Sequence, residues 1–206
     1  MSDIIAKAEG GGHKDFDPIP AGVHVAVCYG LFDIGTQKKE WKGEVKFQRQ
    51  VIICWEIPDE RIDIEKDGKA QNLPRAISNH YTLSLGEKAN LRRDLENWRG
   101  KPFTDTELSG FSLKNILGKA CQLQVVHKPK RDGGVWANIS AVMALPKGVK
   151  PPEAENPLKL WAIGDDEEGV PPWILRKAHE SEELKDAPDT QEDHESTTVE
   201  DTGVPF

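Results

Sequence analysis

Three cysteines in 206 residues, none in a Cys-x-x-Cys pair, are too few for a disulfide framework or a cysteine-rich zinc site. Cys28, Cys54 and Cys121 each lie in an apolar run, which suits buried, reduced thiols. The 6 histidines include no His-x-x-x-His pair, and none has a cysteine at zinc spacing. Gly118-Lys119 lacks the upstream glycine and the following Ser or Thr of a P-loop, and no Gly-x-Ser-x-Gly elbow occurs. Carboxylate pairs such as Asp59-Glu60 and Asp63-Glu65 fall in a charged stretch suited to solvation. No enzymatic activity, cofactor or metal is therefore expected. No apolar run approaches the length of a membrane span, and Met1 to Gly12 lacks the basic region and long apolar core of a signal peptide. These absences predict a soluble, cytoplasmic protein.

What is abundant is charge, unevenly placed. The formal net charge is −8. Residues 1–150 carry 23 Lys or Arg against 19 Asp or Glu, whereas residues 151–206 carry 4 against 16. A mildly basic body with a strongly acidic extension fits a polyanion binder that carries its own electrostatic competitor.

Residues 1–20, with Gly10-Gly11-Gly12, Pro18 and Pro20, predict a flexible lead. Alternation of Val23, Val25, Val27, Tyr29 and Leu31 predicts a first strand. The polar stretch from Gly35 to Gly43 suggests a hairpin loop, and Val45 to Ile57 a second strand stopped by Pro58. Residues 59–74 have a turn signal at Asp67-Gly68. A third strand fits Ala76 to Leu85, after which Leu91, Leu95 and Trp98 switch to helical spacing and Gly100-Lys101-Pro102 ends the helix. Short helical turns fit Thr104 to Glu107 and Leu113 to Leu117. Strands at Cys121–Lys128 and Val135–Leu145 flank the basic turn Pro129–Gly134.

Strand, strand, strand, helix, strand, strand is the chain order of a five-stranded OB-type barrel with its helix between strands 3 and 4. A generic α+β domain with a meander and a helix is the competing arrangement. The expected division is a lead over 1–20, a mainly β domain over 21–148, a Pro-rich arm over 149–177 and a disordered acidic tail over 178–206. The arm's apolar clusters, Leu158 to Ile163 and Trp173 to Leu175, suit packing back on the barrel or a subunit contact.

In OB barrels the loops between strands 1 and 2 and between strands 4 and 5 frame the ligand cleft. Here they hold Lys38, Lys39, Trp41 and Lys42 in one and Lys128, Lys130 and Arg131 in the other, with Trp136 just beyond. Cations to hold phosphates and rings on which bases stack are what single-strand binding requires. Lys46 and Arg49 on strand 2 join them as candidate phosphate contacts. Trp41, in a polar loop, and Trp136, off the apolar parity, favour stacking. Trp55 and Tyr81 share parity with apolar residues, which fits core and stacking equally. Trp98 matches the helix's apolar stripe, and Trp161 and Trp173 suit anchors for the arm. Arg92, Arg93, Lys88 and Lys101 suit a solvated face, and the strand histidines His24, His80 and His127 suit structural roles.

From Ala178 onward ten Asp or Glu stand against Lys185 alone, a composition that predicts disorder. Asp201, Val204, Pro205 and Phe206 form an apolar tip with an acid beside it, suited to a partner with a greasy pocket and a basic rim. Glu200-Asp201-Thr202-Gly203-Val204-Pro205-Phe206 resembles the tip of bacterial single-stranded DNA-binding proteins, where several acids precede Ile-Pro-Phe. The blocks Tyr81–Leu85, Glu87–Gly100 and Gly118–Cys121 resemble those of single-stranded DNA-binding proteins of tailed bacteriophages. That resemblance implies an OB fold, sequence-tolerant binding of single-stranded DNA, no catalysis, and recruitment of replication or repair proteins through the tail. It also implies a place in DNA replication, recombination or repair, in the host cytoplasm if phage-encoded, with homo-oligomers open. Val for Ile and Thr-Gly for two acids are departures within the tip, and the long arm is a departure in the body. An annealing protein and an acidic DNA mimic are alternatives, the mimic disfavoured by the basic loops.

Overall fold

The computed structural model describes residues 17–185 apart from Asp67 and Asp132, with Trp41 and Lys66 described through their backbone. Strands β1 (Gly22–Trp41), β2 (Glu44–Lys66) and β3 (Lys69–Thr82) are followed by helices α1 (Asn90–Arg99) and α2 (Asp105–Ser109) and a 3-10 turn at Leu113–Ile116. Then come β4 (Ala120–Pro129), β5 (Val135–Met143), β6 (Lys159–Ala162) and α3 (Pro172–His179). The sheet order is β3-β2-β1-β4-β5, all antiparallel, with β6 added to β1 in parallel. The protein is mainly β, as the alternating apolar runs predict. β3 and β5, at the two ends of that order, approach each other and both touch α1. Among the described residues no ladder joins them, so the sheet does not close into a hydrogen-bonded barrel.

The two faces of this sheet bury different cores. Odd positions on β2 (Val51, Ile53, Trp55, Ile57) meet Cys28, Leu31, Ile77, Leu123 and Val125 in the first core. α1 covers it with Leu91, Leu95 and Trp98; the Trp98 indole stands 6.0 Å from that of Trp55 and donates to the Ala120 carbonyl at 2.8 Å. The Thr104 hydroxyl and Glu107 carboxylate cap α2 reciprocally, as the Thr-x-x-Glu spacing allows.

Both hairpins flanking β2 are longer than expected. β1 continues to Trp41, and the turn is only Lys42-Gly43, each with positive φ (51° and 82°), as in primed hairpin turns. β2 passes Pro58 through a register shift between Ile57 and Arg61, where proline withholds no needed ladder donor.

The arm is integral to the fold. Even positions on β2 (Ile52, Cys54) and Tyr29, Phe32 and Ile34 of β1 form a second core with Trp161, Val170, Ile174 and Ala178. Glu56, fully buried, fastens the approach to this arm: its carboxylate accepts from the backbone N–H of Glu155 (2.6 Å) and Asn156 (2.9 Å) and from the Asn156 amide (2.6 Å). One edge of β1 is thus lined in turn by β4 at Gly22–Val27, by β6 at Gly30–Asp33, and by Glu182, whose N–H bonds the Thr36 carbonyl at 2.9 Å. Contacts with β1 continue past 177, the expected end of the arm. Glu180 pairs with Lys177, Glu182 with Lys185, and Glu183 receives the Thr36 N–H and hydroxyl, both at 2.8 Å.

Cys28, Cys54 and Cys121 are all buried and reduced, and burial pushes each thiol up, Cys54 to about 12. The native protein is expected to resist thiol-alkylating reagents, with three groups reacting after denaturation. Rapid alkylation of any one in native protein, read by mass spectrometry, would contradict this packing.

Candidate nucleic-acid interface

Ladder register fixes which side chains share a face, because directly opposed residues project to the same side. On the β1–β2 hairpin Lys38 opposes Phe47 and Thr36 opposes Arg49, so Lys38, Phe47 and Arg49 lie together. Phe47 is 54% exposed, an apolar ring between two cations. Lys39 opposes Lys46 on the other face, and Gln37 opposes Gln48. That second face looks toward α3, since the Gln37 amide donates to the Lys177 carbonyl at 3.0 Å. The expected cations of this hairpin therefore divide between two surfaces. Lys46 pairs with Glu44 at 3.3 Å in an exposed contact of little energetic weight. Arg49 is held by Asp33, 2.7 Å between Nη2 and Oδ2, so a phosphate there would share a guanidinium already engaged. Trp41 opposes Glu44 at the hairpin's end, and Lys42 is exposed in the turn.

The β4–β5 hairpin gathers its set on one surface. Trp136 opposes Lys128 and is 60% exposed, and the Lys130 ammonium stands 4.1 Å from the centre of its ring. The Lys130 N–H bonds the Gly134 carbonyl at 3.1 Å to close the turn, with Arg131 exposed at its tip. β4 pairs Val125 with Gly22 and then runs on to Pro129. This turn therefore lies beyond the start of β1, whereas Lys42-Gly43 follows its end. The two cationic turns stand at opposite ends of β1, and the C-terminal arm fills the sheet face between them.

Two expected stacking rings are in the core and are withdrawn from the set. Trp55 is 1% exposed among Ile53, Ile57 and Trp98. Tyr81 is 3% exposed and donates its hydroxyl to Asp94 at 3.0 Å; burial and the Asp94 carboxylate push its phenol far up. Neither ring can meet a base without opening the first core. The docking residues Asp201, Val204, Pro205 and Phe206 lie outside the described residues.

Two cavities have cations in their walls. The larger, about 550 Å³, opens between the β1–β2 hairpin, the end of β3 and the loop entering α1, with Lys39, Gln48, His80, Thr82, Glu87 and Lys88 around it. Its His80 ring lies 6.3 Å from that of Trp173. Partial burial and the Lys177 and Lys39 ammonium groups hold the His80 imidazole below its ordinary range. The smaller, about 330 Å³, lies at the end of α1 between Trp98, Arg99, Lys101, Phe111 and Lys119. Lys88 and Lys101, expected on bland surfaces, thus border concave ones. Phe47 is missing from the expected set, although an aromatic within a basic stretch is a signal that the sequence carries; His80 and Lys88 become neighbours only through the fold.

Among the described residues no cluster of His, Cys, Asp or Glu is placed to hold a metal ion, and no helix is long and apolar enough to cross a membrane. Comparison of the chain with protein-family models, with curated proteins and with solved structures gave no match.

Proposed function

We propose that the protein binds single-stranded DNA without sequence preference, on an OB-type scaffold, and recruits replication or repair proteins through its acidic C-terminal tip. The observation that carries this reading is the β4–β5 hairpin, where a 60% exposed tryptophan sits among Lys128, Lys130 and Arg131. An exposed indole offers a base a stacking surface worth about 1–3 kcal/mol irrespective of base identity. The lysines beside it meet the phosphates on either side of a stacked base. Phe47 with Lys38 repeats the combination on the other hairpin. The strand order β3-β2-β1-β4-β5 with a helix between β3 and β4 supports the OB-type assignment, as does the near approach of β3 to β5.

Mobility of labelled single- and double-stranded oligonucleotides across a salt titration tests this. Single strands are expected to bind preferentially, with log affinity falling by about 0.7 per phosphate contact for each decade of salt. Equal affinity for duplex, or affinity flat in salt, would overturn the proposal. Trp136→Ala is expected to weaken binding by about 1–3 kcal/mol while leaving the fold intact, since the ring contributes nothing to either core. Phe47→Ala and Trp41→Ala are expected to act in the same direction. Parent-like binding by all three variants would put the interface on another surface.

A further inference from the structure

We infer that the cleft between the β1–β2 hairpin and the loop entering α1 is a nucleotide subsite, with the phosphate on Lys39 and Lys88 and the base against His80. The inference rests on the single-strand reading above and extends it to His80 and Lys88, which the sequence assigned elsewhere.

Three observations converge on it. The cavity, about 550 Å³, is open and has room for one nucleotide unit rather than a side chain alone. Its cations come from separate elements, Lys39 from β1 and Lys88 from the loop before α1, so the fold brings together charge that the chain separates by 49 residues. Lys177 on α3 adds to the positive field felt at His80, and Glu87 is the one carboxylate lining the cavity among the described residues. Neutral polar groups complete the walls: Gln48, Thr82 and Ser84 line it, and the Thr82 hydroxyl donates to the Gln48 amide oxygen at 3.3 Å. A site richer in donors and cations than in acceptors selects an oxyanion. His80, exposed and backed by Trp173, supplies the flat surface that a base needs beside that oxyanion.

A nucleotide phosphate could arrive within a strand or as a free nucleotide, and the strand is favoured because the cleft borders the β1–β2 hairpin, whose opposite face carries Phe47 and Lys38 within a strand's reach. The test measures anisotropy of a fluorescent oligothymidylate with the parent, Lys88→Ala, His80→Ala and Glu87→Gln over a range of salt. Thymidine 5′-monophosphate serves as a separate ligand and competitor. Expected are weaker binding by Lys88→Ala with a salt slope shallower by about 0.7, weaker binding by His80→Ala with the slope unchanged, and tighter binding by Glu87→Gln. The monophosphate should compete only at concentrations far above those of the oligonucleotide. If the parent does not bind the oligonucleotide at all, the function proposed above fails. If the parent binds and all three variants match it in affinity and slope, the subsite fails and that function stands. Tight monophosphate binding that the oligonucleotide does not displace would reassign the cleft to a free small molecule and overturn the inference.

Discussion

Replacing Trp161 with alanine is expected to destabilise the protein by about 3–5 kcal/mol, the usual cost of removing a buried tryptophan. Trp161 is 2% exposed in the second core, opposes Phe32 in the β1–β6 ladder and is one of the largest fully enclosed side chains. Its loss would leave Phe32, Ile34 and Ile174 around a void and remove the main anchor holding β6 on β1. Urea denaturation should show the lowered midpoint, and limited proteolysis should cut between β5 and β6 in the variant well before the parent. Ile174→Val, which removes one methylene from the same core, should cost only about 0.5–1.5 kcal/mol. If Trp161→Ala cost less than 1 kcal/mol, the arm would be a loosely attached extension, and the sheet face beneath it would be open to ligand.

The tail is expected to divide two roles at a point that the fold relocates. Residues 178–185 are built into the second core and the β1 edge, so truncation at 178 would damage the domain as well as the tail. Removing residues 186–206 instead takes away seven acids and spares Ala178, Ser181 and Glu183. Single-strand affinity should then rise, most at low salt, because tethered carboxylates compete with phosphates for the cationic hairpins and salt screens that competition. Deleting only Pro205 and Phe206 keeps every acid and should leave DNA affinity unchanged. That deletion should weaken capture of a replication or repair partner by about 2 kcal/mol or more, roughly thirtyfold, since buried aromatic anchors dominate such contacts. Surface plasmon resonance with DNA and with candidate partners measures both. The division fails if the two-residue deletion tightens DNA binding as much as the longer one, or leaves partner capture intact.

The five principal strands and α1 were legible because their apolar residues alternate or recur where one face is buried. Val51 to Trp55 announced burial on both faces, and the structure supplies a separate core for each. The last part of β1, from Thr36 to Trp41, reads as a loop in the sequence because backbone ladder bonds define it, while side chains such as Gln37 and Lys39 show no apolar period. β6 and α3 were missed for a different reason. A four-residue strand, Lys159–Ala162, and an eight-residue helix starting at Pro172 are too short for periodicity, and tertiary burial of Trp161 and Ile174 selects them. Gly35 carries a trace of the same event: its φ is 70°, and a Cβ there would run into Ile163 and Glu183 of the returning arm. Of the candidate stacking rings, the exposure of Trp136 is legible from its parity. Trp55 and Tyr81 share the apolar parity that, on these strands, points into the core.

The lining of β1 by three successive segments also sets an order of events during synthesis. Thr36 leaves the ribosome long before its partner Glu183, 147 residues later, which at about 5–20 residues per second is a delay of about 7–30 s. Through that interval Tyr29, Phe32, Ile34 and Ile52 have no second core, and the β1 edge from Gly30 to Thr36 offers unpaired backbone to any neighbouring chain. A nascent chain stalled before Trp161 would carry the hairpins and the first core but present a greasy sheet face, a natural target for chaperones and proteases. Completion of the arm is in this sense a proofreading step, because only a chain translated through Ser181 can hide the surface that marks it as unfinished.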